Sequence, residues 1–330
     1  MQTAPVKPPL PTSKYAFSLV ETAFSFLKAP ENQTLLLKWG LSDFRLRKYS
    51  FDQPFLLHEA DHPVGEFLLD LFNSPDVRRT FDVMRHDGSW TTLAEQPAAA
   101  AVELERLKAT CTSLDLFDRL EQNGIVRDNG QIVKCFPQTT PDFDFSDRLQ
   151  EVLGWIDSEQ WSLFSPEERS ELLFHLLSRL VFGGGLCQYE DCVYPYLTAA
   201  RTLYRDLVCV QRGPPGGPPI QVRSLAFQIH AVHAGDSQPF PLFPHSLLCY
   251  RPRRDLPKAI VPPPPPATPS DATAPAQTAP VAASPSPPQL PFPLSTACSC
   301  TGAVRSFCYM VVDPMYRTVI LAYFPYRPMF

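Results

Sequence analysis

Residues 165–206 read SPEERSELLFHLLSRLVFGGGLCQYEDCVYPYLTAARTLYRD, and the fold class turns on them. Ser165 can accept a backbone N–H at a helix start, Pro166 suits the first helical position, and Glu168 completes a capping box with Ser165. Leu172, Leu173, Leu176, Leu177 and Leu180 recur at helical spacing, which predicts one helix over 165–182. Gly183, Gly184 and Gly185 supply a stop that tolerates positive φ. A second helix is predicted over 191–206, with Val193, Leu197, Ala200, Leu203 and Tyr204 facing inward. Together they form a helical hairpin around a glycine-rich turn.

Downstream the pattern changes to strands. Apolar runs at 207–211 and 220–231 flank the Gly/Pro stretch 213–219. Two further runs, 307–312 and 318–324, surround Asp313-Pro314-Met315-Tyr316, where Asp followed by Pro suits a type I turn. Those last runs are apolar at nearly every position, so the strands are expected to be covered on both faces. Between the two strand groups, residues 262–293 hold 13 prolines and one charged residue, Asp271. Such a stretch has too little large apolar surface to fold around. Upstream, strands are expected at 15–20, 46–51 and 90–93, the last after a turn at 86–89. Helices are expected at 21–27, 33–39 and 112–122, and at 64–72, where Val64, Phe67, Leu68, Leu71 and Phe72 share one stripe. Asn123-Gly124 ends the helix at 112–122, and Asp128-Asn129-Gly130 is expected to turn a β-hairpin between 125–127 and 132–135. The acidic run 142–147 reads as a loop pinned by Phe143 and Phe145, with Ser146 or Asp147 capping the next helix.

The resulting fold class is α+β: a single mixed domain with a helical hairpin and a C-terminal, largely antiparallel sheet, interrupted by a disordered Pro-rich insert. The boundaries read as a tail over 1–13, a domain of 14–251 plus 298–326, and an insert over 252–297.

Composition narrows the functional classes. The chain has 330 residues, a net charge of −5 and 44% hydrophobic residues, enough to bury a core. A mildly acidic chain has no large positive field to attract phosphate backbones, which argues against nucleic acid as a partner. No stretch reaches the roughly 18 apolar residues that span a bilayer, because His175, Ser178 and Arg179 interrupt the most apolar one. Membrane insertion is therefore not expected. Pro5, Pro8, Pro9 and Pro11 break up any secretory apolar run, and the nine cysteines are expected as reduced thiols in a cytosolic protein.

The chemical motifs are sparse. There is no G-x-G-x-x-G, no Walker loop, no G-x-S-x-G elbow and no H-E-x-x-H pair. Cys298, Cys300 and Cys308 lack the paired knuckles of a zinc site, and His58 and His62 read as surface residues. No cofactor, metal or catalytic residue is assigned. If the protein were an enzyme, Cys187 is the best candidate nucleophile, and it would need a depressed pKa to act as one.

Three segments carry a resemblance: 124–135, 183–191 continuing through Pro195-Tyr196-Leu197 to 204–208, and 309–314. They resemble, in the same order, stretches of the cilia- and flagella-associated protein 300 family, whose members are shorter and lack the 262–293 insert. The resemblance implies a non-enzymatic factor of cytoplasm and cilium, needed for outer and inner dynein arms to reach the axoneme. It further implies cooperation with the assembly factor kintoun and dynein preassembly complexes, and movement with the intraflagellar transport machinery. Competing classes are a permanent structural component of the axoneme and a cysteine-dependent enzyme using Cys187. The candidate partner-binding residues are Arg127, Asp128 and Lys134 near the turn at 128–130, with Gln188, Tyr189, Glu190 and Asp191 between the two helices. The bland alternative has Tyr189 packed and Glu190 and Asp191 capping the second helix.

Overall fold

The computed structural model describes residues 13–55, 62–84, 89–139, 144–184, 187–213, 216–217, 219–234 and 306–325. The chain runs β1 (Phe17–Leu19), α1 (Ser25–Lys28), α2 (Pro30–Lys38), β2 (Arg45–Phe51), α3 (His62–Asn73), α4 (Pro75–Thr80), β3 (Asp82–Met84), β4 (Trp90–Thr92) and β5 (Ala99–Leu107). It continues through α5 (Arg119–Gln122), β6 (Lys134–Thr139), β7 (Asp144–Asp147), α6 (Arg148–Gly154), α7 (Pro166–Arg169), α8 (Leu172–Phe182) and α9 (Tyr194–Leu207). It closes with β8 (Val210–Arg212), β9 (Ile220–Val222), β10 (Leu225–Ala234), β11 (Phe307–Asp313) and β12 (Thr318–Phe324).

A six-stranded sheet in the order β1-β2-β12-β11-β10-β5 forms the frame, and every pairing in it is antiparallel. The expected α+β class with a mostly antiparallel sheet is what the chain adopts. Strands β11 and β12 lie at its centre, register-paired from Phe307↔Phe324 to Asp313↔Thr318. Successive strand side chains alternate between faces, and both faces are covered. Cys308, Met310, Val312, Val319, Leu321 and Tyr323 pack with Phe67, Leu68, Leu71, Val77 and Phe81 of the α3–α4 layer. Phe307, Tyr309, Val311, Ile320, Ala322 and Phe324 pack with α8 and the surrounding α2, α6 and α9.

The α3 stripe is as the spacing requires: Val64, Phe67, Leu68, Leu71 and Phe72 are all buried. An edge-to-face aromatic group of Tyr15, Phe17, Phe51, Phe55 and Phe67 seals β1 onto this layer. No helix among the described residues is long and apolar enough to cross a membrane.

Several expectations need correction. The helix predicted over 165–182 is two helices. The capping box at Ser165 and Glu168 forms, but Glu171 turns extended (φ −69°, ψ 133°). There Lys108 donates to the Ser170 carbonyl (2.8 Å) and accepts from the Leu172 N–H (2.7 Å). The Glu171 carboxylate also accepts the Thr110 N–H (3.0 Å). These partners lie some sixty residues away, beyond any local pattern. Helix α8 is buried on every side and not along a leucine stripe alone.

The helix expected over 21–27 shrinks to α1, because the Phe26 N–H donates to Asp206 (2.7 Å) and Phe24 stays extended. The segment 112–122 is a 3-10 turn plus α5. Leu207 closes α9 instead of starting a strand, and 220–231 divides at Arg223-Ser224, where the Cys209 N–H donates to Ser224 Oγ (2.8 Å). The hairpin at 125–135 reduces to a turn with a single Val126–Ile132 bridge, and Lys134–Thr139 pairs with β7 instead. Asp144–Asp147 is therefore strand and not loop, although Asp147 does cap α6 by accepting the Gln150 N–H (2.9 Å). The tail up to residue 12, the 252–297 insert, His58, Gly185, Cys249, Cys298 and Cys300 lie outside the described residues. So do residues 86–88 of the expected turn and Asp142 and Phe143.

A polar group is enclosed between α8 and the sheet. Arg179 Nε donates to the Tyr309 hydroxyl (2.9 Å), and His175 Nδ1 lies 3.5 Å from the same oxygen. His230, at the bulge in β10, places Nε2 3.5 Å from a Glu105 carboxylate oxygen. Burial, reinforced by the Arg179 charge, lowers the His175 pKa to about 3, against the opposing pull of Glu105. The unfolded chain, near the ordinary value of about 6.5, binds a proton that the folded chain refuses. Stability from this residue is thus complete above that pH and is lost as pH falls. Denaturant unfolding of wild type and His175→Gln at about pH 7 and about pH 5 measures it. The wild type is expected to lose about 2 kcal/mol more than the variant on acidification, and equal losses would show that His175 is not buried neutral.

Candidate functional site

The glycine end of α8 positions this surface. Gly183 has φ +61°, the left-handed side, and its N–H closes the helix on the Arg179 carbonyl (2.9 Å). The next N–H, from Gly184, donates to the Trp39 carbonyl (2.8 Å). The two backbones approach so closely that a Cβ on Gly184 would stand 1.9 Å from the Gly40 carbonyl oxygen. Only glycine allows that approach. After the turn, the Gln188 N–H donates to the Lys38 carbonyl (2.9 Å), so the segment is tied twice to the end of α2.

Glu190 locks this junction from within. Trp39 is fully buried and stacks on Tyr196 with centroids 4.7 Å apart. Its indole N–H donates to Glu190 Oε1 (3.0 Å), while Lys38 Nζ donates to Oε2 (2.8 Å). The Glu190 N–H in turn donates to the Tyr196 hydroxyl (3.0 Å). One carboxylate thereby satisfies a buried indole and an ammonium. Burial raises the Tyr196 hydroxyl pKa well above the usual tyrosine range, so it stays a neutral hydroxyl that can accept this bond.

The chain then pairs with the turn at 128–130. Ile132 N–H donates to the Asp191 carbonyl (2.8 Å), and Val193 N–H donates to the Gly130 carbonyl (2.9 Å). Gly130 has φ +83° and lies under the Tyr194 ring, where a Cβ would come within 2.2 Å of Cε2. Lys134 Nζ reaches Asp191 (3.3 Å) and lies 3.9 Å from the buried Asp147. Burial raises the Asp147 pKa, with Lys134 acting in the opposite sense. Arg127 donates to Gln131 Oε1 (3.0 Å).

Two segments that sequence separates by about sixty residues therefore form one face. Arg127, Asp128, Lys134, Gln188 and Asp191 are exposed on it. Tyr189 is half-buried and packs on the larger core. Glu190 faces inward as the strut just described. Neither Glu190 nor Asp191 caps α9, which starts at Tyr194 behind Val193 with no side-chain cap. The sequence reading missed Phe136, 89% exposed, and Tyr194, 51% exposed. Pro137 was the available signal for Phe136, since a strand proline marks an unpaired position, and the β6–β7 register breaks between Lys134 and Gln138. Cys187 is half-buried against the core, close under Gly183. Among the described residues no group of three His, Cys, Asp or Glu is placed to hold a metal, and none is assigned to a cofactor.

The Glu190 strut makes a separable prediction. Glu190→Ala leaves the Trp39 N–H buried without its acceptor and is expected to cost about 2 kcal/mol in urea unfolding. Glu190→Gln keeps an acceptor oxygen and should lose less than half of that. Equal losses in both variants would mean that the indole bond contributes little.

Comparison with known proteins agrees with the resemblance in the sequence. The sequence model of the family described as "Cilia- and flagella-associated protein 300" matches residues 14–249. A protein of that name from Chlamydomonas reinhardtii is 39% identical over 181 residues, covering 54% of this chain and 69% of the relative. Another from Paramecium tetraurelia is 36% identical over 176 residues, covering 53% of this chain and 65% of the relative. No solved structure matches the chain. The name shared by these relatives is that of a ciliary protein and not of an enzyme class. With the match extending over most of its length, the chain belongs to the cilia- and flagella-associated protein 300 family.

Proposed function

We propose that this protein is a non-enzymatic factor of cytoplasm and cilium that assembles outer and inner axonemal dynein arms. In this reading it delivers them with the intraflagellar transport machinery. Its partners are kintoun and the dynein preassembly complexes. The observation that carries the reading is the family match over residues 14–249, with ciliary relatives in two distant organisms.

The face around Arg127, Asp128, Lys134, Gln188 and Asp191 supplies a physical means. It combines charges of both signs with the exposed rings of Tyr194 and Phe136. Aromatic anchors within a mixed polar rim are the usual make-up of a docking surface. The Glu190 strut and the two constrained glycines hold this face in one shape, which limits the entropy lost on binding.

Cross-linking mass spectrometry on tagged protein from the cytoplasm of cells regrowing cilia tests the reading. Cross-links from Lys134 to dynein chains or kintoun are expected, with yields several-fold lower in Arg127→Ala/Asp128→Ala. Recovery only with tubulin and doublet proteins, resistant to detergent extraction, would replace it with a permanent axonemal component.

A further inference from the structure

A second surface feature lies apart from the turn face, at the other end of the helical hairpin. The loop at 111–114, α8, α9 and the β8–β9 hairpin enclose a half-open groove of about 290 Å³. Leu173 and Tyr204 belong to buried positions of α8 and α9, and Leu114 and Val208 extend the apolar lining. On the hairpin side stand Val210 and Ile220, 54% and 49% exposed. Hydrophobic side chains left half in water on a two-stranded hairpin gain little where they are unless something covers them.

The charged residues lining the groove have one sign. Arg201 and Arg205, one helical turn apart on α9, both line it and are exposed. Among the described residues neither has an ion-pair or hydrogen-bond partner. The carboxylate behind the groove, Glu171, is taken up by the N–H and hydroxyl of Thr110. Tyr204 is 6% exposed, and its hydroxyl has no hydrogen-bond partner among the described residues. A buried hydroxyl without an acceptor is costly. Burial and Glu171 push the Cys111 thiol up to about 12, so it is no nucleophile at neutral pH and the groove is not a covalent trap.

We infer that this groove docks an acidic peptide segment of a partner protein: one large apolar side chain enters between Leu173 and Ile220, and flanking carboxylates meet Arg201 and Arg205. Two guanidiniums with no internal partner select carboxylates, which they bind with paired, charge-assisted bonds. Among the described residues β8 and β9 pair only with each other, so a peptide backbone can lie alongside either strand. This inference does not depend on the dynein-arm reading, and either can fail without the other.

The test is selection on the full chain from a phage-displayed library of random peptides about a dozen residues long. Counter-selection uses Arg201→Glu/Arg205→Glu, whose exposed positions leave the core intact. Enriched peptides should share a Leu, Ile, Phe or Trp flanked by Asp or Glu. Their synthetic versions should bind at least tenfold more weakly to the charge-reversed protein. Arg127→Glu/Lys134→Glu should bind them as wild type does. No enrichment, enrichment of neutral or basic sequences, or equal binding to the charge-reversed protein would each overturn the inference.

Discussion

Strands β11 and β12 bury apolar side chains on both faces, and the layered arrangement follows from covering both. Six residues of these strands meet the α3–α4 layer and six meet the α8 side. Each large apolar side chain returned to water costs about 1.5–3 kcal/mol. Exposing even half of one set would offset most of the roughly 5–15 kcal/mol that stabilises an ordinary domain. The helices are therefore held in place by the sheet more than by their own propensity. That accounts for elements as short as α1 and α4, which would not persist alone.

Full burial has a second consequence at α8. A helix with water on no side must satisfy its polar residues internally. Ser178 does so by returning its hydroxyl to the Phe174 carbonyl (2.9 Å). His175 and Arg179 converge on Tyr309, the one inward-facing hydroxyl that β11 offers. The guanidinium also lies over the Phe307 ring, 5.4 Å from its centroid, a contact worth more in a desolvated setting than at a surface. A polar group of this kind fixes the helix against one register of the sheet, because sliding by one residue would strand the charge against apolar side chains.

The two surface features differ in how they are built. At the turn face the backbone does most of the positioning, through Gly184 against Gly40, Gly130 under Tyr194, and the exchange between residues 130–132 and 191–193. The side chains left outside are those not consumed by that framework. At the groove the positioning comes from packing, with α8 and α9 supplying the apolar lining and one exposed helical turn presenting both arginines. The first is shaped to present polar and aromatic groups, the second to receive an apolar one.

Local chemistry was legible in the sequence by itself. The capping box at Ser165, the glycine stop at 183, the α3 stripe and the paired apolar runs at 307–312 and 318–324 each depend on neighbours a few residues away. The α+β class followed from their order, and family membership from runs long enough to be specific. Tertiary structure decided what depends on distant partners. Lys108 and Thr110 break the helix at Glu171, and β7 draws Lys134 away from the expected hairpin. Trp39 and Lys38 turn Glu190 from a docking candidate into an internal acceptor. The same holds for the Arg201–Arg205 groove, whose walls come from four separate stretches of chain. A residue's local pattern reports the period of its own element, whereas its hydrogen-bond partner is set by which elements the sheet brings alongside.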